Sequence, residues 1–159
     1  CVGACPMGAI SRPGVGNQEI KEQIYFEELA NGDPHLVAFV CDWSLRADAD
    51  VEILESYSEN VRVIHIPCTG RIDPEMALLA LRSGIDGVLV CGCEPGQCHF
   101  QRGTFVSSCK LGLLDRMFEQ VGLADGRVRF VQIGTTERGR IRKEIDGMLE
   151  HLTAQKEVD

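Results

Sequence analysis

Four short apolar runs divide the chain from residue 35 onward: HLVAFVC at 35–41, VRVIHIPC at 61–68, GVLVCGC at 87–93 and VRFVQIG at 128–134. They are rich in β-branched residues and nearly continuous, as in strands covered on both faces. Strands are therefore expected at about 36–41, 61–67, 87–92 and 128–133. Each run leads into a helical stretch. The first is expected at about 48–57. The second, DPEMALLALRSG at 73–84, carries its own punctuation: Asp73 as N-cap, Pro74 in the first turn and Gly84 as the stop. The third, at about 104–121, repeats apolar residues four apart at Phe105, Cys109, Leu113, Met117 and Val121. The last carries Ile141, Ile145, Met148, Leu149 and Leu152 on one face.

Four strand–helix units with right-handed crossovers predict an α/β fold, a doubly wound parallel four-stranded sheet of order 2-1-3-4. The residues before it are organised differently. SRPGVGN at 11–17 is turn-rich, QEIKEQIYFEELA at 18–30 reads as a short amphipathic helix, and NGDP at 31–34 breaks it. The chain thus divides at residue 34, into a segment at 1–34 (a ferredoxin-type remnant followed by a connector at 11–34) and an α/β domain at 35–159.

Composition narrows the function. The chain has 159 residues, a hydrophobic fraction of 44% and a formal charge of −8. That length buries a core without disulfides. Mixed charges with an acidic excess argue against nucleic acid as a partner, since phosphate binding wants a basic face. No apolar run reaches the ~20 residues of a membrane span. Eight cysteines in such a chain fit metal binding or catalysis in a reducing compartment, and the cytoplasm is the expected location.

The cysteines fall into two groups. CVGACPMGAI at 1–10 places Cys1, Cys5 and Pro6 as in the closing half of the ferredoxin run C-x2-C-x2-C-x3-C-P, whose thiolates hold a 4Fe-4S cluster. Two ligands do not complete such a cluster, so the chain is expected to be the C-terminal portion of a longer iron–sulfur polypeptide. The second group lies on the predicted sheet. Cys41, Cys68 and Cys93 end strands 1, 2 and 3, and Cys98 follows in the next loop. The carboxyl edge of an open α/β sheet is where ligands bind. Cys91 and Cys93 fall on the same side of their strand, with Cys91 one repeat deeper, about 6.6 Å at ~3.3 Å per residue. Cys91 and Cys109 are expected to be packing residues.

Four converging thiols suit zinc or a 2Fe-2S cluster. The spacing lacks the paired knuckles usual for structural zinc and the C-x-x-C of a thiol–disulfide exchange centre. A zinc-stabilised interaction module without redox activity remains the alternative to an iron–sulfur electron carrier. No nucleophile elbow, acid–base pair or dinucleotide glycine loop is present, so no independent catalytic site is expected.

AFVCDWS at 38–44, IPCTGRIDP at 66–74 and CGCEPGQCHFQRG at 91–103 together resemble the delta subunit of methyl-viologen-reducing hydrogenase, over residues 36 to about 152. The resemblance implies a 2Fe-2S cluster that passes electrons from a hydrogenase, or another donor dehydrogenase, to the flavin-containing A subunit of heterodisulfide reductase. Residues 1–34 resemble the end of such an A subunit, which implies a fusion whose longer parent also carries a 4Fe-4S cluster. Carried over residue by residue, the resemblance points to Cys41, Cys68, Cys93 and Cys98 as thiolates, with Arg71, Asp73 and His99 nearby. Ser44 stands where the family usually has a further cysteine. Arg71 is expected to balance cluster charge. His99 would either tune the potential or serve as a hydrogen-bonded loop histidine, and Trp43 would pack or form an interface.

Overall fold

The computed structural model describes residues 10, 13–25, 32–44, 57, 59–123, 126–134, 136–137 and 139–157. Cys1, Cys5 and nearly all of the helix expected at 48–57 lie outside them. The described elements are α1 (Asn17–Ile24), β1 (Leu36–Cys41), β2 (Val61–Ile66), a 3-10 turn (Thr69–Arg71), α2 (Pro74–Arg82), β3 (Gly87–Cys93), α3 (Gly103–Gln120), β4 (Val128–Ile133) and α4 (Arg140–Lys156).

The four strands form one parallel sheet in the order β2-β1-β3-β4, as the run of strand–helix units predicts. β1 is central and wholly buried, with Phe39 in register with Ile64 on one side and Val90 on the other. Alternation along the strands separates two cores. Val37, Phe39, Val88 and Val90 pack with Ile20 and Ile24 of α1, Met76 and Ala80 of α2, and Leu111, Leu114 and Phe118 of α3. Leu36, Ala38, Val40, Leu89 and Cys91 pack with Ile141, Ile145, Met148 and Leu152 of α4. Covering both faces excludes water from the strand backbones, which is why their sequences lack a polar stripe.

The helix punctuation acts as its residue types dictate. The Asp73 carboxylate accepts from the Glu75 N–H at 3.2 Å, Pro74 begins α2, and Gly84 follows its end at φ +88°. Among the described residues no helix is long and apolar enough to cross a membrane.

α3 departs from expectation. Its four-apart apolar series is not the buried face: Phe105, Leu113, Met117, Val121 and Cys109 are all exposed. The buried residues are Thr104, Ser107, Leu111, Leu114 and Phe118. Geometry explains the reversal. At 3.6 residues per turn a strict step of four drifts by about 40° each time, whereas alternating steps of three and four stay on one face. Two of the true face positions are polar, which disguised it. Cys109 is accordingly not a packing residue.

Burial on this pattern makes a direct prediction. Leu111→Ala is expected to lower stability by about 2–5 kcal/mol, while Leu113→Ala stays within about 0.5 kcal/mol. Denaturant unfolding of both variants measures the contrast, and equal costs would contradict the assigned face.

Candidate metal centre

The carboxyl edge of the sheet gathers the four thiols expected there. β1 ends at Cys41 and β3 at Cys93, on adjacent strands, and their sulfurs stand 3.6 Å apart. Both are buried, each 2% exposed. β2 ends at Ile66, one residue earlier than expected, so Cys68 belongs to the following turn, where it caps the 3-10 segment. Cys98 lies in the loop after β3. The Cys68 and Cys98 sulfurs are neighbours, both within 3.5 Å of the position a Cβ on Gly103 would take.

A glycine contact sets this second pair. A Cβ on Gly70 would lie 2.8 Å from the Gly103 Cα, so the 69–71 turn meets the start of α3 backbone to backbone. A Cβ on Gly103 would fall 2.1 Å from the Cys68 sulfur and 3.5 Å from that of Cys98. Only a residue without a side chain leaves room for both thiols.

The backbone donors around the sulfurs divide them chemically. Cys41 is pulled down to about 7, first by the Cys93 thiol donating to it, against the opposing effect of burial, and further by the N–H groups of Trp43, Ser44 and Thr69. The proton stays on Cys93, raised by that same bond and by burial. Burial raises Cys68 to about 11, with the Gly70 N–H acting the other way and the Cys41 and Cys98 charges adding to the rise. At Cys98 burial also pushes upward, but the amides of Thr104, Phe100 and Gly103 outweigh it, and the thiol is lowered. The Gly103 and Thr104 amides open α3, whose N-terminus favours a thiolate. Each pair therefore holds one thiol biased toward thiolate and one that keeps its proton until a cation displaces it.

The other residues singled out by sequence surround this edge unevenly. Ser44 is buried and its hydroxyl donates to the Cys41 carbonyl at 2.7 Å, closing the turn after β1. Trp43 stacks on His99, ring centroids 3.5 Å apart and 7° from parallel, and Phe100 meets His99 edge-on at 5.0 Å. The stack thereby joins the loop after Cys41 to the loop carrying Cys98. Arg71 is buried, with a guanidinium N–H to Asn17 Oδ1 at 3.2 Å, linking the site to α1. Asp73 serves α2 as its cap. Cys91 is 0% exposed within the α4-side core, and burial raises its thiol.

Two residues escaped the sequence reading. Thr104 donates to the Cys93 carbonyl at 2.9 Å and lies beside the Cys98 sulfur. Thr69 is buried next to Cys68. The only sequence signal for either was a polar residue adjoining a ligand candidate or opening a helix. Gly92 leaves space: a Cβ there would lie 3.1 Å from the Phe130 ring and from Thr69 Oγ1.

The donor set fits a thiolate-held metal group. Two thiolates on one tetrahedral metal with bonds of ~2.3 Å stand about 3.8 Å apart, close to the 3.6 Å of Cys41 and Cys93. Among the described residues no three cysteine, histidine or carboxylate groups surround a single ion position; the thiols stand as two pairs.

The divided thiols make the metal-free protein selective toward alkylation. Because the thiolate is the nucleophile, Cys98 is expected to react with iodoacetamide at pH 7 about tenfold or more faster than its neighbour Cys68. Raising the pH toward 11 closes the gap as Cys68 ionises. Peptide mass spectrometry over time reads both rates, and equal rates at pH 7 would refute the assignment.

Comparison with known proteins places these features in a family. Residues 36–154 match the methyl-viologen-reducing hydrogenase delta subunit family. The A subunit of the ferredoxin/F420H2-dependent CoB–CoM heterodisulfide reductase of Methanosarcina acetivorans is 36% identical over 121 residues, which are 75% of this chain and 15% of that protein. The iron–sulfur D subunit of the F420-non-reducing hydrogenase of Archaeoglobus profundus is 35% identical over 107 residues, 66% of this chain and 78% of that one. The iron–sulfur D subunit of the F420-non-reducing hydrogenase vhc of Methanococcus voltae is 29% identical over 126 residues, covering 78% and 88%. The chain thus spans about 15% of the length of the reductase protein it matches and most of the length of the hydrogenase proteins. With its sheet, its thiol-bearing edge and this match, the chain belongs to the methyl-viologen-reducing hydrogenase delta subunit family.

Proposed function

We propose that this chain is an electron-transfer component of an oxidoreductase complex, with a 2Fe-2S cluster held by Cys41, Cys68, Cys93 and Cys98. The observation that carries the reading is the arrangement of the thiols as two pairs on one sheet edge. A dinuclear cluster takes two thiolates per metal, so Cys41 with Cys93 would serve one iron and Cys68 with Cys98 the other. The names of the hydrogenase relatives, which call them iron–sulfur subunits, support iron over zinc. Bound there, the cluster would supply one-electron storage. The chain's own residues bury it, donate amides to its sulfurs and hold it at the edge through the Trp43–His99 stack.

Under this reading the electrons come from a hydrogenase-type or other donor dehydrogenase subunit. They go to a heterodisulfide reductase A-type flavoprotein subunit or domain. The match to both hydrogenase D subunits and a reductase A subunit favours that position between two redox partners. Cys1 and Cys5 would belong to a 4Fe-4S cluster completed elsewhere in a longer parent polypeptide, with residues 1–34 as its end and connector and 35–159 as the delta-subunit domain. Cysteine usage favours the cytoplasm as the location of the assembly.

Metal analysis tests the core of this. The protein should carry about two irons and two acid-labile sulfides on this domain, and zinc without sulfide would replace the reading with the interaction-module alternative. Alanine at Cys41, Cys68, Cys93 or Cys98 is expected to abolish or cripple the cluster's electron paramagnetic resonance signal, while Cys91→Ala leaves it intact. An unchanged signal in Cys98→Ala, or its loss in Cys91→Ala, would remove the ligand assignment.

Gly103→Ala offers an independent check that alters no thiol. Its added methyl occupies the position of the Cys68 sulfur, so iron and sulfide content should fall severalfold or more. Full cluster content in that variant would show that Cys68 does not sit where the structure puts it.

A further inference from the structure

Thr69 follows Cys68 and opens the 3-10 turn that packs on α3. It is 1% exposed, and its Oγ1 has no hydrogen-bond partner among the described residues. A buried hydroxyl with no partner is destabilising, so its retention calls for a physical reason. Its surroundings supply one. The backbone N–H of Thr69 reaches the Cys41 sulfur. Its Oγ1 lies 3.1 Å from where a Cβ on Gly92 would stand, and Gly92 immediately precedes Cys93. The hydroxyl therefore lies on the turn that carries Cys68 and reaches the Cys41 sulfur, in a space kept open by a glycine of β3. Ser107 Oγ is also buried without a partner, but no comparable contacts tie it to the sulfurs.

We propose that Thr69 is a positioning residue whose hydroxyl donates a hydrogen bond to a sulfur of the bound cluster and raises its reduction potential. The inference rests on the iron–sulfur reading above. A donor aimed at sulfur stabilises the reduced, more negative state more than the oxidised one. Burial strengthens the effect, since no water competes for the sulfur. The hydroxyl is carried by a side chain and so is open to substitution without removing the backbone N–H that Thr69 gives Cys41.

The test uses the cluster-loaded protein with Thr69→Val, which keeps the shape and removes the hydroxyl, and Thr69→Ser, which keeps the hydroxyl. Iron and sulfide are measured first, then the potential by redox titration followed by electron paramagnetic resonance. Thr69→Val is expected to keep its cluster with a more negative potential. A change of about tenfold in the reduction equilibrium corresponds to 59 mV for a one-electron couple. Thr69→Ser should return to within about twofold of the parent. In the metal-free protein Thr69→Val should melt no lower than the parent, because the hydroxyl has no partner there. Cluster loss in Thr69→Val with retention in Thr69→Ser would support the same bond. An unshifted potential in a fully loaded Thr69→Val protein, failure of serine to restore it, or cluster loss in both variants would overturn the proposal. Absence of iron and sulfide from the parent protein would instead bring down the iron–sulfur reading itself, and this inference with it.

Discussion

The backbone of the 69–71 turn lies against the first residue of α3, and the rest of the site follows from that closeness. Gly70 and Gly103 make the contact with no Cβ on either side. It draws Cys68, at the start of the turn, beside Cys98, whose loop runs directly into α3. The other pair needs no such device. Cys41 and Cys93 are brought together by the parallel register of β1 and β3, which ends both strands on the same edge. One pair is thus fixed by the sheet and the other by a glycine contact. A defect in either leaves two thiols where a thiolate-held cluster takes four.

Electrostatics reinforce the geometry. The N-terminus of α3 and the turn after β1 both present amides to sulfur, one set at Cys98 and the other at Cys41. Each stabilises negative charge on a thiol without placing a cation in the site. The partner thiols remain protonated because burial and the neighbouring sulfur charge raise them. Without metal, then, the site avoids gathering four negative charges in a buried space. Binding a cationic group reverses the balance and releases the remaining protons.

How much of this the sequence disclosed differs element by element. The strands, their order and the sheet edge were readable because buried parallel strands leave long apolar runs and cysteines at their ends stand out. Asp73, Pro74 and Gly84 marked α2 unambiguously, since capping is a local matter. The face of α3 was not readable. Its buried stripe begins with the polar residues Thr104 and Ser107, the first of which bonds the Cys93 carbonyl, and a more regular apolar series drew attention to the opposite face. Nor could the sequence identify Thr69, because an unpartnered hydroxyl is recognised only by what surrounds it. The paired arrangement of the thiols was likewise hidden, as it depends on contacts between residues about thirty or more positions apart.

Cys91 and Cys93 show how finely position decides chemistry. They share a strand, a side of the sheet and a residue type, so composition and motif treat them alike. Cys91 is wholly enclosed by the α4-side core, among Leu89, Ile141 and Ile145. Burial raises its thiol, and among the described residues no amide offsets that. Cys93, one strand repeat later, is equally protected from solvent but faces the Cys41 sulfur instead of hydrocarbon. Burial alone therefore does not separate a core cysteine from a candidate ligand. What separates them is the company kept by the sulfur: the α4-side core around one, and beside the other a second sulfur that itself accepts from a fringe of amides. That change of surroundings falls where the sheet ends, because beyond its last register pair the backbone turns its N–H groups away from the ladder and toward whatever occupies the edge.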